Sequence, residues 1–280
     1  MKVLFFDYDG TLTSKKSGYT ITQETIDALK MIQALGNKII LCTGRASGYI
    51  QDVILPKIPF DGYIACAGCE VYLENEKIAN HEIETDLLKE ILPMLRGKDI
   101  FYSLENGQGI NLLKEYRDIW FADYDYREKH GVAVPKGARE NLNKAFLIEK
   151  NGNEEKYHPC KIGIASYNVT GFEEIESKLM KDFYVNVFKN FGDKANILGE
   201  LTLRNVNKAD GMKLILDRLQ ADVEDTYAFG DGPNDIPMLK FAKHSYIFEG
   251  AEDNIKALAD ETFKEAADGG IAEVLNGLRL

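Results

Sequence analysis

The chain has 280 residues, 45% of them hydrophobic and 28% charged, which is ordinary globular usage, argues against disorder and suits two domains better than one. Its formal net charge of −11 argues against a nucleic-acid or anionic-membrane partner, because either would need a basic face. No apolar run approaches the length of a membrane span, and Asp7 interrupts the first apolar residues too early for a signal-peptide core, so a cytoplasmic protein is expected.

Lys2 to Phe6 is a continuous apolar stretch, the pattern of a strand buried on both faces of a parallel sheet. It runs straight into Asp7, Asp9 and Gly10. A helix follows: Thr22 is placed to cap it, Ile26, Leu29, Ile32 and Leu35 share a face, and Gly36 stops it. Lys38 to Cys42 reads as a second strand, ending at Thr43-Gly44-Arg45, and Gly62 to Cys66 as a third. Strand, helix, strand predicts right-handed parallel crossovers.

From about Ile83 the pattern changes. Leu87, Leu88, Ile91, Leu92 and Leu95 predict a helix, and Gly107, Gly109, Gly131 and Gly137 mark turns. The stretch "AFLIEKNGNEEKYHPCKIGIAS" predicts two strands around Asn151-Gly152, and "GFEEIESKLM" an amphipathic helix. This middle third reads as an α+β unit of its own. The opening pattern returns near residue 200. Leu201 to Leu203 is short and apolar, "DGMKLILDRL" is helical, "DTYAFGDGPND" is an apolar strand ending again in carboxylates, "HSYIF" is a strand and "AEDNIKALAD" a helix. An α/β domain made of residues 1–82 and 191–280 is therefore expected, with a second domain, 83–190, inserted between its halves.

Four cysteines, Cys42, Cys66, Cys69 and Cys160, include one C-x-x-C pair. A zinc site would want a second close pair, and His81, His130, His158 and His244 do not cluster, so small buried residues beside a strand end are the expectation.

In doubly wound sheets, ligands sit beyond the carboxyl ends of the strands. Three strands end here in groups suited to phosphate and metal: Asp7-Tyr8-Asp9-Gly10-Thr11, Thr43-Gly44-Arg45, and Gly230-Asp231-Gly232-Pro233-Asn234-Asp235. Alternation along an extended chain lets Asp7 and Asp9 lean toward one site. Crowded carboxylates stay ionised only around a cation, and a hard divalent ion, Mg²⁺ above all, suits oxygen ligands. Taken singly, each motif has a plain reading: Asp9-Gly10 as a turn, Thr43-Gly44 as a strand end, Lys208 as a solvated residue before a helix. Arg45 reads either as a helix-start surface residue or support beside a phosphate, or as a direct substrate contact. Their joint occurrence at matching strand ends is what points to phosphoryl transfer.

The chain resembles the haloacid dehalogenase superfamily of phosphatases, and within it the Cof-type hydrolases. D-x-D-G-T after an apolar strand, T-G-R, a lone lysine and G-D-G-x-N-D occur in the family's order across both outer thirds. The resemblance implies a doubly wound, mainly parallel Rossmann-like core with an inserted α+β cap. It implies hydrolysis of small phosphate monoesters, such as a sugar phosphate, with Mg²⁺ and an aspartyl-phosphate intermediate. The implied partner is a small phosphorylated metabolite, and the implied assembly a monomer or small homo-oligomer. Asp7 would be the nucleophile, Asp9 the proton donor and acceptor, and Lys208 the charge-neutralising cation. Thr43 with Gly10, Gly44, Arg45 and Asn234 would hold phosphate or substrate; Asp7, Asp9 through its carbonyl, Asp231 and Asp235 would form the metal site. Two departures stand out: Ala67-Gly68-Cys69-Glu70 replaces the family's usual Asn-Gly pair, and "HSYIFEG" replaces a run of small apolar residues. A phosphomutase shares this chemistry, and a non-catalytic phosphometabolite sensor would be favoured only if Asp7, Asp9, Lys208 or Asp231 were replaced. In the inserted domain, Tyr102, Glu105, Asn106, Tyr116, Arg117, Trp120, Tyr124 and Tyr126 are candidate substrate contacts or else packing.

Overall fold

The apolar run at the start of the chain forms strand β1 (Val3–Phe6), whose four side chains are all buried. The computed structural model describes residues 1–134, 137–150, 154–187 and 197–278. They divide into two units, Met1–Asn80 with Val206–Leu280, and His81–Asn205. After β1 the first unit continues with α1 (Gln23–Ala34), capped by the Thr22 hydroxyl, which accepts from the Thr25 amide at 3.3 Å. Strand β2 (Lys38–Cys42), short helix α2 (Ser47–Tyr49) and strands β3 (Gly62–Ala65), β4 (Glu70–Leu73) and β5 (Glu76–Asn80) follow. The second unit holds α3 (Thr85–Arg96), β6 (Phe101–Asn106), β7 (Gly109–Leu112), α4 (Lys114–Lys129), α5 (Ala138–Lys144), β8 (Phe146–Leu147), β9 (Lys161–Ser166), α6 (Val169–Leu179), β10 (Phe183–Val187) and β11 (Ile197–Leu203). The first unit resumes with α7 (Lys208–Leu219), β12 (Thr226–Gly230), α8 (Ile236–Phe241), β13 (His244–Phe248), α9 (Asp253–Lys256), β14 (Glu261–Phe263) and α10 (Gly270–Gly277).

The first unit is built on an eight-stranded sheet in the order β14-β13-β12-β1-β2-β3-β4-β5, parallel from β14 to β3 and antiparallel beyond. Alternation sorts its core into two layers. Leu4 and Phe6 of β1 pack with Leu29 and Ile32 of α1 on one side, while Val3 and Phe5 pack with Met212 and Ile215 of α7 on the other. Burying both faces is what makes β1 apolar at every position. The second unit has a six-stranded sheet, β10-β11-β9-β6-β7-β8, antiparallel except where β7 meets β8. No helix of the described residues is long and apolar enough to cross a membrane.

Several expectations need correcting. The stretch Leu201–Leu203, read as the start of the returning first domain, belongs to β11, which pairs antiparallel with β9 and β10 in the second sheet. The first unit therefore resumes at Val206 and not at 191; residue 190 itself lies outside the described residues. An apolar run reports burial on both faces, and a central antiparallel strand can be buried as completely as a parallel one. The strands on either side of Asn151-Gly152 are not neighbours, because β8 is an edge strand separated from β9 by β7 and β6. That turn also lies outside the described residues. The "AEDNIKALAD" helix shortens to the one turn of α9. The sequence reading did not anticipate the β4–β5 hairpin or α4, whose mixture of aromatic and charged residues hid the helical spacing of Tyr116, Ile119, Asp123 and Tyr124.

Candidate active site

Strand pairing builds the site. The Asp7 amide, just past β1, donates to the Phe229 carbonyl of neighbouring β12 at 2.9 Å. Asp7 continues the odd-numbered face that packs on α7, and α7 begins with Lys208. A reciprocal cap fixes that helix start: the Asn207 side chain accepts from the Ala209 and Asp210 amides, and Asp210 accepts from the Asn207 amide at 3.1 Å. The Lys208 side chain is wholly buried, so the solvated reading is excluded. Its ammonium donates to Asp7 Oδ1 and to Asp235 Oδ1, each at 2.5 Å. Asp235 is buried too, and its other oxygen accepts from the Asp231 and Gly232 amides at 2.9 and 3.1 Å.

Asp7, Asp231 and Asp235 each offer a carboxylate oxygen within 4.8 Å of the others. Among the described residues, three carboxylates face a single ammonium, so the cluster carries excess negative charge. Burial, followed by Asp235, pushes Asp231 up to about 7. Burial pushes Asp7 well above the usual carboxylate range, with Asp235 and Asp231 adding to it and Lys208 opposing. Burial alone would pull Lys208 down; Asp235 and Asp7 override it and hold the lysine above its ordinary value. All-oxygen donors with uncompensated charge fit a hard divalent cation, which these three carboxylates could hold. Cys42 feels the same charges, and burial raises its thiol far above its ordinary range, which disfavours the thiolate. All four cysteines are buried thiols outside any disulfide.

Gly10, expected to meet substrate, has a steric duty. Its φ is +96°, and a Cβ there would fall 2.0 Å from Asp231 Oδ2. Thr43 is buried at the end of β2, its hydroxyl accepting from the Arg45 amide at 3.1 Å, with half-buried Gly44 between them. The expectation that Asp7 and Asp9 lean together is not met. The Asp9 side chain turns to Arg45 and stays outside the carboxylate cluster. Asn234 is exposed in the turn after Gly232. In the second unit, Tyr102 is packing: it is wholly buried, donates to Glu154 at 2.8 Å and accepts from Arg96 at 2.8 Å. Tyr116 and Tyr124 are buried as well.

The Ala67-Gly68-Cys69-Glu70 stretch forms a turn with structural contacts. Cys66 and Ala67 adopt positive φ, 47° and 57°, and their amides donate to the Arg45 and Thr43 carbonyls at 2.9 and 3.0 Å. Gly68 lets Asn207 approach so closely that a Cβ would meet its carbonyl oxygen at 2.3 Å. The turn thus braces both the Thr43 loop and the start of α7. The sequence reading missed Glu70, which is buried and accepts from Ser47 at 2.6 Å and Lys77 at 3.0 Å. Its signals were a carboxylate at the head of an apolar strand and its place in the departure from the family's usual pair. Ala67→Asn is expected to raise stability by about 0.5–1 kcal/mol, since Asn tolerates the left-handed region better than Ala. Denaturant midpoints at unchanged slope would measure it.

A family model described as haloacid dehalogenase-like hydrolase matches residues 4–275. Phosphatase YwpJ of Bacillus subtilis is 24% identical over 287 residues, covering 99% of this chain and all of YwpJ. The solved structure of BT1666, a phosphatase from Bacteroides thetaiotaomicron, is 24% identical with a TM-score of 0.76, covering 99% of this chain and 94% of that one. That of the sugar phosphatase BT4131 is 22% identical with a TM-score of 0.74, covering 99% and 98%.

Proposed function

The chain belongs to the haloacid dehalogenase-like hydrolases, and on that premise we propose that it is a Mg²⁺-dependent phosphatase of small phosphate monoesters, sugar phosphates first among them. The observation that carries this reading is Lys208, buried between Asp7 and Asp235 with Asp231 alongside, at the ends of parallel strands. A phosphoryl group brings dense negative charge, and a carboxylate nucleophile can meet it only where cations mask both. An Asp7 oxygen bonds to phosphorus as the bond to the leaving oxygen breaks, and Asp9 gives that oxygen its proton. Asp9 then takes a proton from a water, whose oxygen attacks phosphorus and releases Asp7 and inorganic phosphate. Lys208 and the Thr43 hydroxyl hold the charge that spreads over the phosphoryl oxygens. Mg²⁺, held by Asp7, Asp231 and the Asp9 carbonyl, with Asp235 fixing the Asp231 backbone, would supply further positive charge there. We assign leaving-group recognition to the inserted unit and place the enzyme in the cytoplasm. The similarity to the phosphatase YwpJ supports the activity, and the similarity to a sugar phosphatase motivates the choice of sugar phosphates. The test is a panel of sugar phosphates, nucleotides, phosphorylated vitamin precursors and p-nitrophenyl phosphate, ranked by kcat/KM with Mg²⁺ and with EDTA. No turnover of any ester, or equal turnover in EDTA, would overturn the reading.

Asp231 provides a metal test that needs no substrate. Its raised carboxyl binds a proton more tightly folded than unfolded, so its contribution to metal-free stability falls as pH rises from about 4 to about 7. Asp231→Asn removes that charge. Without metal, the variant is expected to melt a few degrees above wild type near neutral pH, and level with it near about pH 4. Mg²⁺ should raise the wild-type melting temperature and leave the variant's almost unmoved. Equal Mg²⁺ stabilisation of both would remove Asp231 from the metal site.

A further inference from the structure

Arg45 is the one arginine of the strand-end motifs, and in this structure it is spent on Asp9. Its Nε donates to Asp9 Oδ2 and its Nη2 to Asp9 Oδ1, both at 2.6 Å, although the Asp9 side chain is 43% exposed. An exposed ion pair is ordinarily weak, because ordering two long side chains offsets the attraction. Here the guanidinium is ordered beforehand. It lies over the Tyr49 ring at 4.2 Å and the Tyr8 ring at 5.3 Å, which hold its fork in place. Both Asp9 oxygens accept from that fork, so in this arrangement the carboxylate is engaged by the guanidinium on both sides. The fork sits on the Thr43 loop, tied to the Thr43 hydroxyl through the Arg45 amide at 3.1 Å. A guanidinium that takes a carboxylate two-handed takes a phosphate the same way.

We propose that Arg45 is a two-position latch: without substrate it holds the Asp9 carboxylate, and a phosphoryl oxyanion bound beside Thr43 takes over the fork and releases Asp9 for proton transfer. Arg45 is then a positioning residue whose occupancy couples substrate binding to the freeing of the proton carrier. The proposal rests on the reading of Asp9 given above. It also gives the resting state a purpose, since both Asp9 oxygens stay held by the guanidinium until an ester occupies the site.

The latch makes phosphate and Asp9 competitors for one fork, which a double-mutant cycle on inorganic phosphate binding can read. Affinity is measured by calorimetry with excess Mg²⁺ for wild type, Asp9→Ala, Arg45→Met and the double variant. If Asp9 occupies the fork about nine-tenths of the time, Asp9→Ala tightens phosphate about tenfold, because the competent fraction rises to one. Arg45→Met abolishes that gain, so the double variant binds no better than Arg45→Met alone. Simple relief of charge repulsion predicts otherwise: the Asp9→Ala gain would persist without Arg45, and that result would overturn the latch. Unchanged phosphate affinity in Asp9→Ala would overturn it too. Arg45→Lys keeps the charge and the packing but lacks the fork, and should shrink the gain. It serves if Arg45→Met melts early. A crystal structure with Mg²⁺ and phosphate bound gives the direct reading, and an intact Arg45–Asp9 pair there would end the proposal. The function reading fails on different data, namely full hydrolysis of an alkyl phosphate by Asp9→Ala.

Discussion

Asp7→Asn is expected to lower turnover by at least about a thousandfold, roughly 4 kcal/mol in the barrier, in a protein that melts no lower than wild type. The two expectations have one origin. Asp7 is nearly inaccessible, and burial with Asp235 and Asp231 pushes its carboxyl well above the usual range. The ionised form demanded of a nucleophile is thus the form that burial disfavours, held by Lys208 at 2.5 Å. An amide of the same shape removes one of the crowded charges and can still accept from Lys208, so the fold keeps or gains stability. It cannot attack phosphorus. Mass spectrometry of acid-quenched enzyme during turnover should find a phosphoryl adduct on wild type and none on the variant. A folded Asp7→Asn protein within about tenfold of wild type, a loss of only about 1.4 kcal/mol, would remove Asp7 from this role.

The strand ends were legible because each signal there was double: an apolar run set the strand, and the polar residue ending it set the chemistry. Asp7, Thr43 and Asp231 stand where that logic puts them, after β1, β2 and β12. Lys208 was harder. A lysine before Asp210 and Gly211 reads as solvated, and only the cap made by Asn207 and the face of α7 that carries Met212 and Ile215 turn it inward. The pairing of Asp9 with Arg45 could not be read at all. It depends on the chain leaving the strand at Asp7 and turning from Tyr8, whose carbonyl accepts from the Leu12 and Thr13 amides, so the alternation that would have kept Asp7 and Asp9 together no longer holds. Gly10 itself looked like a phosphate contact, and its cause proved to be the Asp231 carboxylate lying where a Cβ would go. In the second unit β11 was assigned to the wrong sheet, because burial is written in the sequence and the identity of a strand's partner is not.

Lys208→Met should have the largest combined effect of any single change, on stability and on rate. Its ammonium is the positive charge set against Asp7 and Asp235, and the side chain has no exposure to solvent. Methionine fills the same space but leaves the carboxylates facing one another in a dry site. Removing one partner of a buried ion pair costs about 3–5 kcal/mol, since the remaining charge stays buried without compensation. The sign with pH follows from the same charges. With Lys208 gone, the carboxyls of Asp7 and Asp231, already raised, rise further, so the folded protein holds their protons more tightly than the unfolded chain. Stability is then retained in acid and lost as pH climbs: in EDTA the variant should approach wild type near about pH 5 and fall furthest behind near about pH 8. Mg²⁺ should recover part of the deficit, because a divalent cation among the same oxygens supplies the missing charge. Asp235→Asn in the Lys208→Met background should recover another part, because deleting both partners leaves less charge stranded. Turnover is expected to stay at least about a hundredfold down even with Mg²⁺ saturating, since the lost charge also faced the transferring phosphoryl group. Thermal melts across pH, with and without Mg²⁺, separate the structural role from the catalytic one. If Lys208→Met melted with wild type at the alkaline end in EDTA, the lysine would not be neutralising this cluster. The charge balance on which the nucleophile depends would then have to come from elsewhere in the site.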